Sequence, residues 1–119
     1  MCGVSRDYVF LLHILDEVHF LRGCSIGLDL EKLRNDPVMQ RAFVRSLEVI
    51  GEAVKNLSRD LREEHPEVEW RKVAGLRDKL IHHYFEVDWN VVWDVVSNRL
   101  PQLQAQLEEL VAGMDDGQG

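Results

Sequence analysis

Asp36-Pro37-Val38-Met39-Gln40-Arg41-Ala42-Phe43-Val44-Arg45-Ser46-Leu47-Glu48-Val49-Ile50-Gly51-Glu52-Ala53-Val54-Lys55-Asn56-Leu57 is the stretch on which the fold class turns. Asp36 before Pro37 marks a helix start. The carboxylate can accept from an orphan backbone N–H, and proline's fixed φ and missing N–H do no harm in a first turn. Met39, Phe43, Leu47, Ile50, Val54 and Leu57 then recur at spacings of four and three. That period lays a single apolar stripe along a helix, whereas a strand would repeat every second residue. Ala42, Val44, Val49 and Ala53 widen the apolar surface beyond one seam, which leaves room for a second contact, for instance with another subunit. Gly51 in mid-helix costs roughly 1 kcal/mol relative to alanine. Close approach of a neighbouring helix is its expected compensation.

Outward from this helix the pattern stays helical. On the N-terminal side, Ser5 is expected to cap a helix from about Arg6 to Arg22, with Val9, Leu12, Leu15, Val18 and Leu21 as its buried stripe and Gly23 as its end. A connector over Ser25 to Asp29 leads to a short turn at Leu30 to Leu33. On the C-terminal side, Pro66 closes a polar stretch, and Trp70, Val73 and Leu76 lead into a second helical segment with a bend at Gly75. Leu76, Leu80 and Ile81 are spaced to face the core. Asp88 can cap a last helix carrying Val92, Trp93, Val96, Leu100, Leu103, Leu107 and Leu110, kinked by Pro101. The reading is an all-α, up-and-down bundle of four to five main helices. Residues 1–112 form one domain, and 113–119 a flexible acidic tail.

Bulk properties narrow the function classes. A chain of 119 residues can bury a core without staples. Cys2 and Cys24 form no Cys-x-x-Cys pair. No apolar run approaches the ~20 residues that span a bilayer, and the N-terminus lacks a secretory layout. A reducing, cytoplasmic location without membrane contact is expected. The formal net charge of -7 excludes a protein that coats nucleic acid by bulk electrostatics. Any such contact must be local, and the charge is uneven: Glu63, Glu64, Glu67 and Glu69 precede Arg71, Lys72, Arg77 and Lys79.

Within that basic segment Arg77-Asp78-Lys79-Leu80-Ile81-His82-His83-Tyr84 gathers a permanent cation, a side chain that titrates near neutrality and a phenol. These groups suit phosphate chemistry. If the segment is one helix, Asp78 and His82 are four apart and can touch, so the carboxylate can orient the imidazole. Arg77 and His82, five apart, would then diverge by about 140°. A bend, or a second copy brought up by a two-fold axis, would bring them to one point. The same residues also read as surface ion pairs and ordinary, partly exposed histidines, and spacing alone leaves both readings open. Elsewhere, His13 and Glu17 read as a surface pair, since no further His or Cys joins them at metal-ligand spacing. His82 and His83 diverge too far on a helix to chelate one metal. Trp70, Trp89 and Trp93 are read as core or interface residues.

The segment resembles the signature of the HEPN superfamily, and its surroundings are similar to the HepT-like branch. Arg45-x-Leu47-Glu48-x-Ile50-Gly51-Glu52-Ala53, followed by Lys55 and Leu57, resembles that family's second-helix signature. His65-Pro66, Trp70, Gly75-Leu76-Arg77-Asp78, His82, Tyr84-Phe85, Val87-Asp88 and Trp93 resemble its second block, and Leu100-Pro101-Gln102-Leu103 its closing one. The resemblance runs from about Tyr8 to Leu110. It implies a HEPN-like helical bundle, a symmetric homodimer with the motifs lining a shared cleft, and a metal-independent ribonuclease toxin without a cofactor. Arg77 and His82 would be catalytic, with Asp78 and His83 in support. It further implies a minimal nucleotidyltransferase antitoxin as partner, attaching AMP to Tyr84. Two other classes fit the same residues. One is a non-catalytic nucleotide- or substrate-binding subunit of a two-component nucleotidyltransferase, and the other is a module serving assembly alone.

Overall fold

The computed structural model describes the backbone of residues 2–83 and 86–118, and the side chains of residues 6–80 and 86–114. The order is α1 (Cys2–Ser25), α2 (Leu30–Arg34), α3 (Pro37–Lys55), α4 (Arg59–Glu64), α5 (Trp70–Ala74), α6 (Leu76–Leu80), β1 (Ile81–His83), β2 (Glu86–Val87), α7 (Trp89–Asp94), a π-helical turn (Val95–Arg99) and α8 (Leu100–Gln118). Helices α1, α3 and α8 are the long elements, and α1 packs along both of the others. The fold is the all-α, HEPN-like bundle expected, with one small antiparallel strand pair added.

Starts and stops follow local chemistry. Asp36 accepts from the Met39 N–H at 3.0 Å with Pro37 in the first turn, as expected. Asp88 accepts from the Val91 N–H at 3.2 Å to open α7. Asp29 and Ser58 do the same for α2 and α4, through the Lys32 and Leu61 N–H groups. Gly75 separates α5 from α6, as the bend reading required. Ahead of Pro101 the helix widens into the π-helical turn. Proline offers no N–H to the carbonyl four residues back and its ring crowds that carbonyl, and the wider turn relieves the clash.

The first helix departs from its expected form in three ways. Its backbone already runs through Ser5, which is therefore not its cap, and it passes Gly23 to end at Ser25. An isolated glycine weakens a helix without ending it. The chain turns instead at Gly27, whose φ of 77° is open to glycine and costly for other residues. The buried stripe is also different. Leu11, Ile14, Leu15, Val18 and Leu21 are buried, whereas Val9 is 46% exposed. Each step of three residues falls about 60° short of a full turn, so a strict three-residue repeat winds off the buried face.

In α3 the expected stripe holds: Phe43, Leu47, Ile50, Val54 and Leu57 are buried, and Met39 packs against them from a half-buried position. Two polar residues are buried with the core. The Asp7 carboxylate accepts from both the Ser58 N–H (2.8 Å) and Oγ (2.6 Å), tying α1 to the start of α4. Ser46 donates its hydroxyl to Glu17 at 2.6 Å, tying α3 to α1. Buried polar groups of this kind are tolerated because they are hydrogen-bonded.

Gly51 faces the C-terminal end of α5. A Cβ there would lie 3.2 Å from the Ala74 carbonyl oxygen and 3.3 Å from that of Val73. The close approach expected from a mid-helix glycine is present, and the neighbouring atoms are backbone. Gly51→Val is therefore expected to destabilise the fold by about 1–3 kcal/mol through overpacking. Thermal unfolding followed by circular dichroism checks this, and an unchanged melting temperature would show that the contact is soft.

Candidate active site

The site builds outward from that glycine contact. Ala74 ends α5, and three residues later Arg77 emerges from α6. On α3, Glu48 lies one helical turn before Gly51. The two side chains meet: Arg77 Nε donates to Glu48 Oε2 at 2.7 Å. The guanidinium side chain is 65% exposed and the carboxylate 28%. Leu76 and Leu80, on the other side of α6, are buried and anchor it to the core. The short helix thus has an apolar root and presents its cation at the surface.

Beyond Leu80 the backbone is not helical. Ile81–His83 pairs antiparallel with Glu86–Val87, Ile81 opposite Val87 and His83 opposite Glu86, with an irregularity between the two. The Asp88 N–H donates to the Leu80 carbonyl at 2.8 Å. The expected single helix through Tyr84 is thereby corrected. Helical spacing no longer relates Asp78 or Arg77 to His82, nor Arg77 to Tyr84. A β-branched Ile81 followed by two histidines has weak helix preference, and the strand pair satisfies the backbone groups that the helix would have used. Arg77 and His82 are therefore joined through a helix-to-strand junction, the kind of bend that a common target for both requires. The side chains of Ile81, His82 and His83, and all of Tyr84 and Phe85, lie outside the described residues. Asp78 and Lys79 are exposed on α6.

The basic segment divides between two faces. Arg77 turns to α3, while Lys72 and Lys79 line a groove of about 450 Å³ between α5–α6 and the α7–α8 arm, floored by Val73, Leu76, Val95 and Leu103. There Lys72 pairs with Glu69 at 2.6 Å, and Glu69 also lies 3.8 Å from Arg99. The Lys72 ammonium, hydrogen-bonded to it, holds the Glu69 carboxyl below the usual carboxylate range. Arg71 and Lys79 form no ion pair with a described residue. Trp70 is buried, its indole N–H donating to the His65 carbonyl at 2.9 Å, and Trp89 and Trp93 pack half-buried on the core. His13 and Glu17 do not pair. The His13 ring stands edge-on to Phe10, and Glu17 is taken up by Ser46.

Glu48 had no place among the candidate site residues read from sequence. Its signal was available: an acid one turn before a mid-helix glycine, on the helix expected to meet its neighbour closely.

The chain is thus an all-helical bundle with an exposed arginine just ahead of a helix-to-strand junction that carries two histidines. The family model described as "Ribonuclease HepT-like" matches residues 14–110, and the chain belongs to this family. It is 48% identical over 102 residues to "Putative RNase TTE0752" of Caldanaerobacter subterraneus subsp. tengcongensis, covering 86% of this chain and 91% of that protein. It is 40% identical to "Putative RNase MJ0127" of Methanocaldococcus jannaschii, covering 89% and 88%. It is 39% identical to "Probable ribonuclease HepT" of Thermococcus cleftensis, covering 88% and 94%. No solved structure matches the chain. Among the described residues, no helix is long and apolar enough to cross a membrane.

Because Arg77 is mostly exposed and its ion pair lies at the surface, the pair contributes little to stability, about 0–1 kcal/mol. Arg77→Ala is expected to unfold in urea within that margin of the parent. A loss of several kcal/mol would instead make Arg77 a structural residue.

Proposed function

We propose that this chain is an endoribonuclease that cleaves RNA without a metal, with Arg77 and His82 as its catalytic residues. The observation that carries the reading is the family match across residues 14–110, which includes the Arg77–His83 segment, with relatives over most of their length named as ribonucleases. The exposed guanidinium of Arg77 supports it physically.

In this reading His82 takes the proton from a ribose 2'-hydroxyl. The oxygen attacks the adjacent phosphorus, the bond to the 5'-oxygen breaks, and an acid returns a proton to that leaving oxygen. His83 or the second subunit's histidine supplies the acid. Arg77 neutralises the charge that gathers on the non-bridging oxygens, a task for which its fork of donors suits it better than a lysine. Asp78 supports the histidine pair. The protein acts as a symmetric homodimer whose two motifs share a cleft. It is the toxin of a toxin-antitoxin pair in the cytoplasm, neutralised by a minimal nucleotidyltransferase antitoxin that attaches AMP to Tyr84. The added phosphate would place negative charge on the motif segment and repel the RNA backbone.

Purified protein incubated with total cellular RNA in excess EDTA is expected to degrade it, and Arg77→Ala and His82→Ala to slow cleavage by at least about 100-fold while remaining folded. Intact RNA with folded wild type would contradict the ribonuclease reading and favour the nucleotide-binding subunit of a two-component transferase. Equal cleavage by all three proteins would remove Arg77 and His82 from catalysis.

A further inference from the structure

The partner of Arg77 determines how the guanidinium can be used. Arginine has five N–H donors, one on Nε and four on the two terminal nitrogens. In this fold the Nε–H is committed to Glu48 Oε2 at 2.7 Å, the short distance of a charge-assisted bond. The terminal nitrogens make no hydrogen bond to a described residue. Glu48 is the better buried of the pair, 28% exposed against 65%, so the carboxylate is the fixed end and the guanidinium the end facing solvent. Glu48 is itself fixed, since it stands one turn from Gly51, where α3 lies against the carbonyls of Val73 and Ala74.

We propose that Glu48 is a positioning residue for RNA cleavage: by occupying Nε it fixes the plane of the Arg77 guanidinium so that the two terminal nitrogens meet the non-bridging oxygens of the scissile phosphate. This rests on the ribonuclease reading above. The carboxylate has two opposed effects. It orders a side chain that would otherwise sample many rotamers, which favours the transition state, where misplacement by about 1 Å can cost 100-fold. It also places a negative charge beside a phosphate, which weakens binding of the uncleaved RNA. Removing Glu48 should therefore slow the chemistry without weakening the grip on RNA. A residue needed only for folding would lose both together.

The test uses a fluorescent oligoribonucleotide in EDTA with wild type, Glu48→Ala and Glu48→Gln. Glu48→Ala is expected to lower kcat by about 10–100-fold with KM unchanged or reduced. Glu48→Gln still offers an oxygen to Nε and should stay within about threefold of wild type, the neutral bond being weaker but similarly aimed. In a His82→Ala background, which holds RNA without cutting it, adding Glu48→Ala should leave binding by fluorescence anisotropy equal or tighter. If wild type cleaves and Glu48→Ala keeps pace with it, the inference fails and the ribonuclease reading stands. The inference also fails if Glu48→Gln is as slow as Glu48→Ala, or if RNA binding weakens along with turnover. A wild type that does not cleave RNA overturns the reading beneath it and this inference with it.

Discussion

The structure depends on one missing side chain. At Gly51 the backbone of α3 lies against the carbonyl oxygens that end α5, at a separation where even a methyl group would be 3.2–3.3 Å from two of them. Everything around the candidate site is referred to that contact. It sets how far α3 stands from the α5–α6 corner, and hence whether Glu48 can reach Arg77. The corner is held from the other side by Leu76 and Leu80, both buried. The site is thus suspended between a backbone contact and an apolar root, a rigid mounting for an otherwise exposed cation. Groups held in this way lose little freedom when they meet a ligand, which is the physical content of preorganisation.

The second organising feature is the change of backbone type after Leu80. A continuous helix would have pointed Arg77 and His82 in directions that no single phosphate could satisfy. The strand pair following α6 replaces that geometry with a bend inside one chain. Of the two devices that could relate arginine and histidine, a bend or a second copy, the bend is the one present within the chain.

Much of this was legible in the residues. The Asp36-Pro37 start, the α3 stripe, the Asp88 cap, the bend at Gly75 and the close approach at Gly51 all rest on local rules that the tertiary structure obeys. What was not legible fell where two local preferences compete. In α1 several apolar residues offered more than one stripe, and packing against α3 and α8 selected the face with Leu11 and Ile14. At Gly23 surrounding helical residues overrode a breaker, and the chain turned at Gly27 instead. At Ile81 a periodicity that continued past Leu80 suggested more helix than forms, because a three-residue strand gives almost no pattern of its own. Of the candidate site, Arg77 was named from its motif, and the structure places its side chain at the surface. Its partner Glu48 could be placed near a close approach by its position one turn before Gly51, but an ion pair between α3 and α6, 29 residues apart, leaves no trace in spacing that would name Arg77 as the group it meets.

The mounting of the cation is mechanical: the Gly51 contact places Glu48, and Glu48 holds Arg77. It is tested most directly by the ¹H–¹⁵N signal of Arg77 Nε in folded wild type and in folded Gly51→Val. The Nε proton is expected to exchange with water a few-fold more slowly in the wild type, as a surface pair worth at most about 1 kcal/mol allows, and to lose that protection in the variant once α3 is pushed from the α5 corner. A folded Gly51→Val protein that keeps the same protected signal would contradict it, leaving the arginine held independently of the close approach.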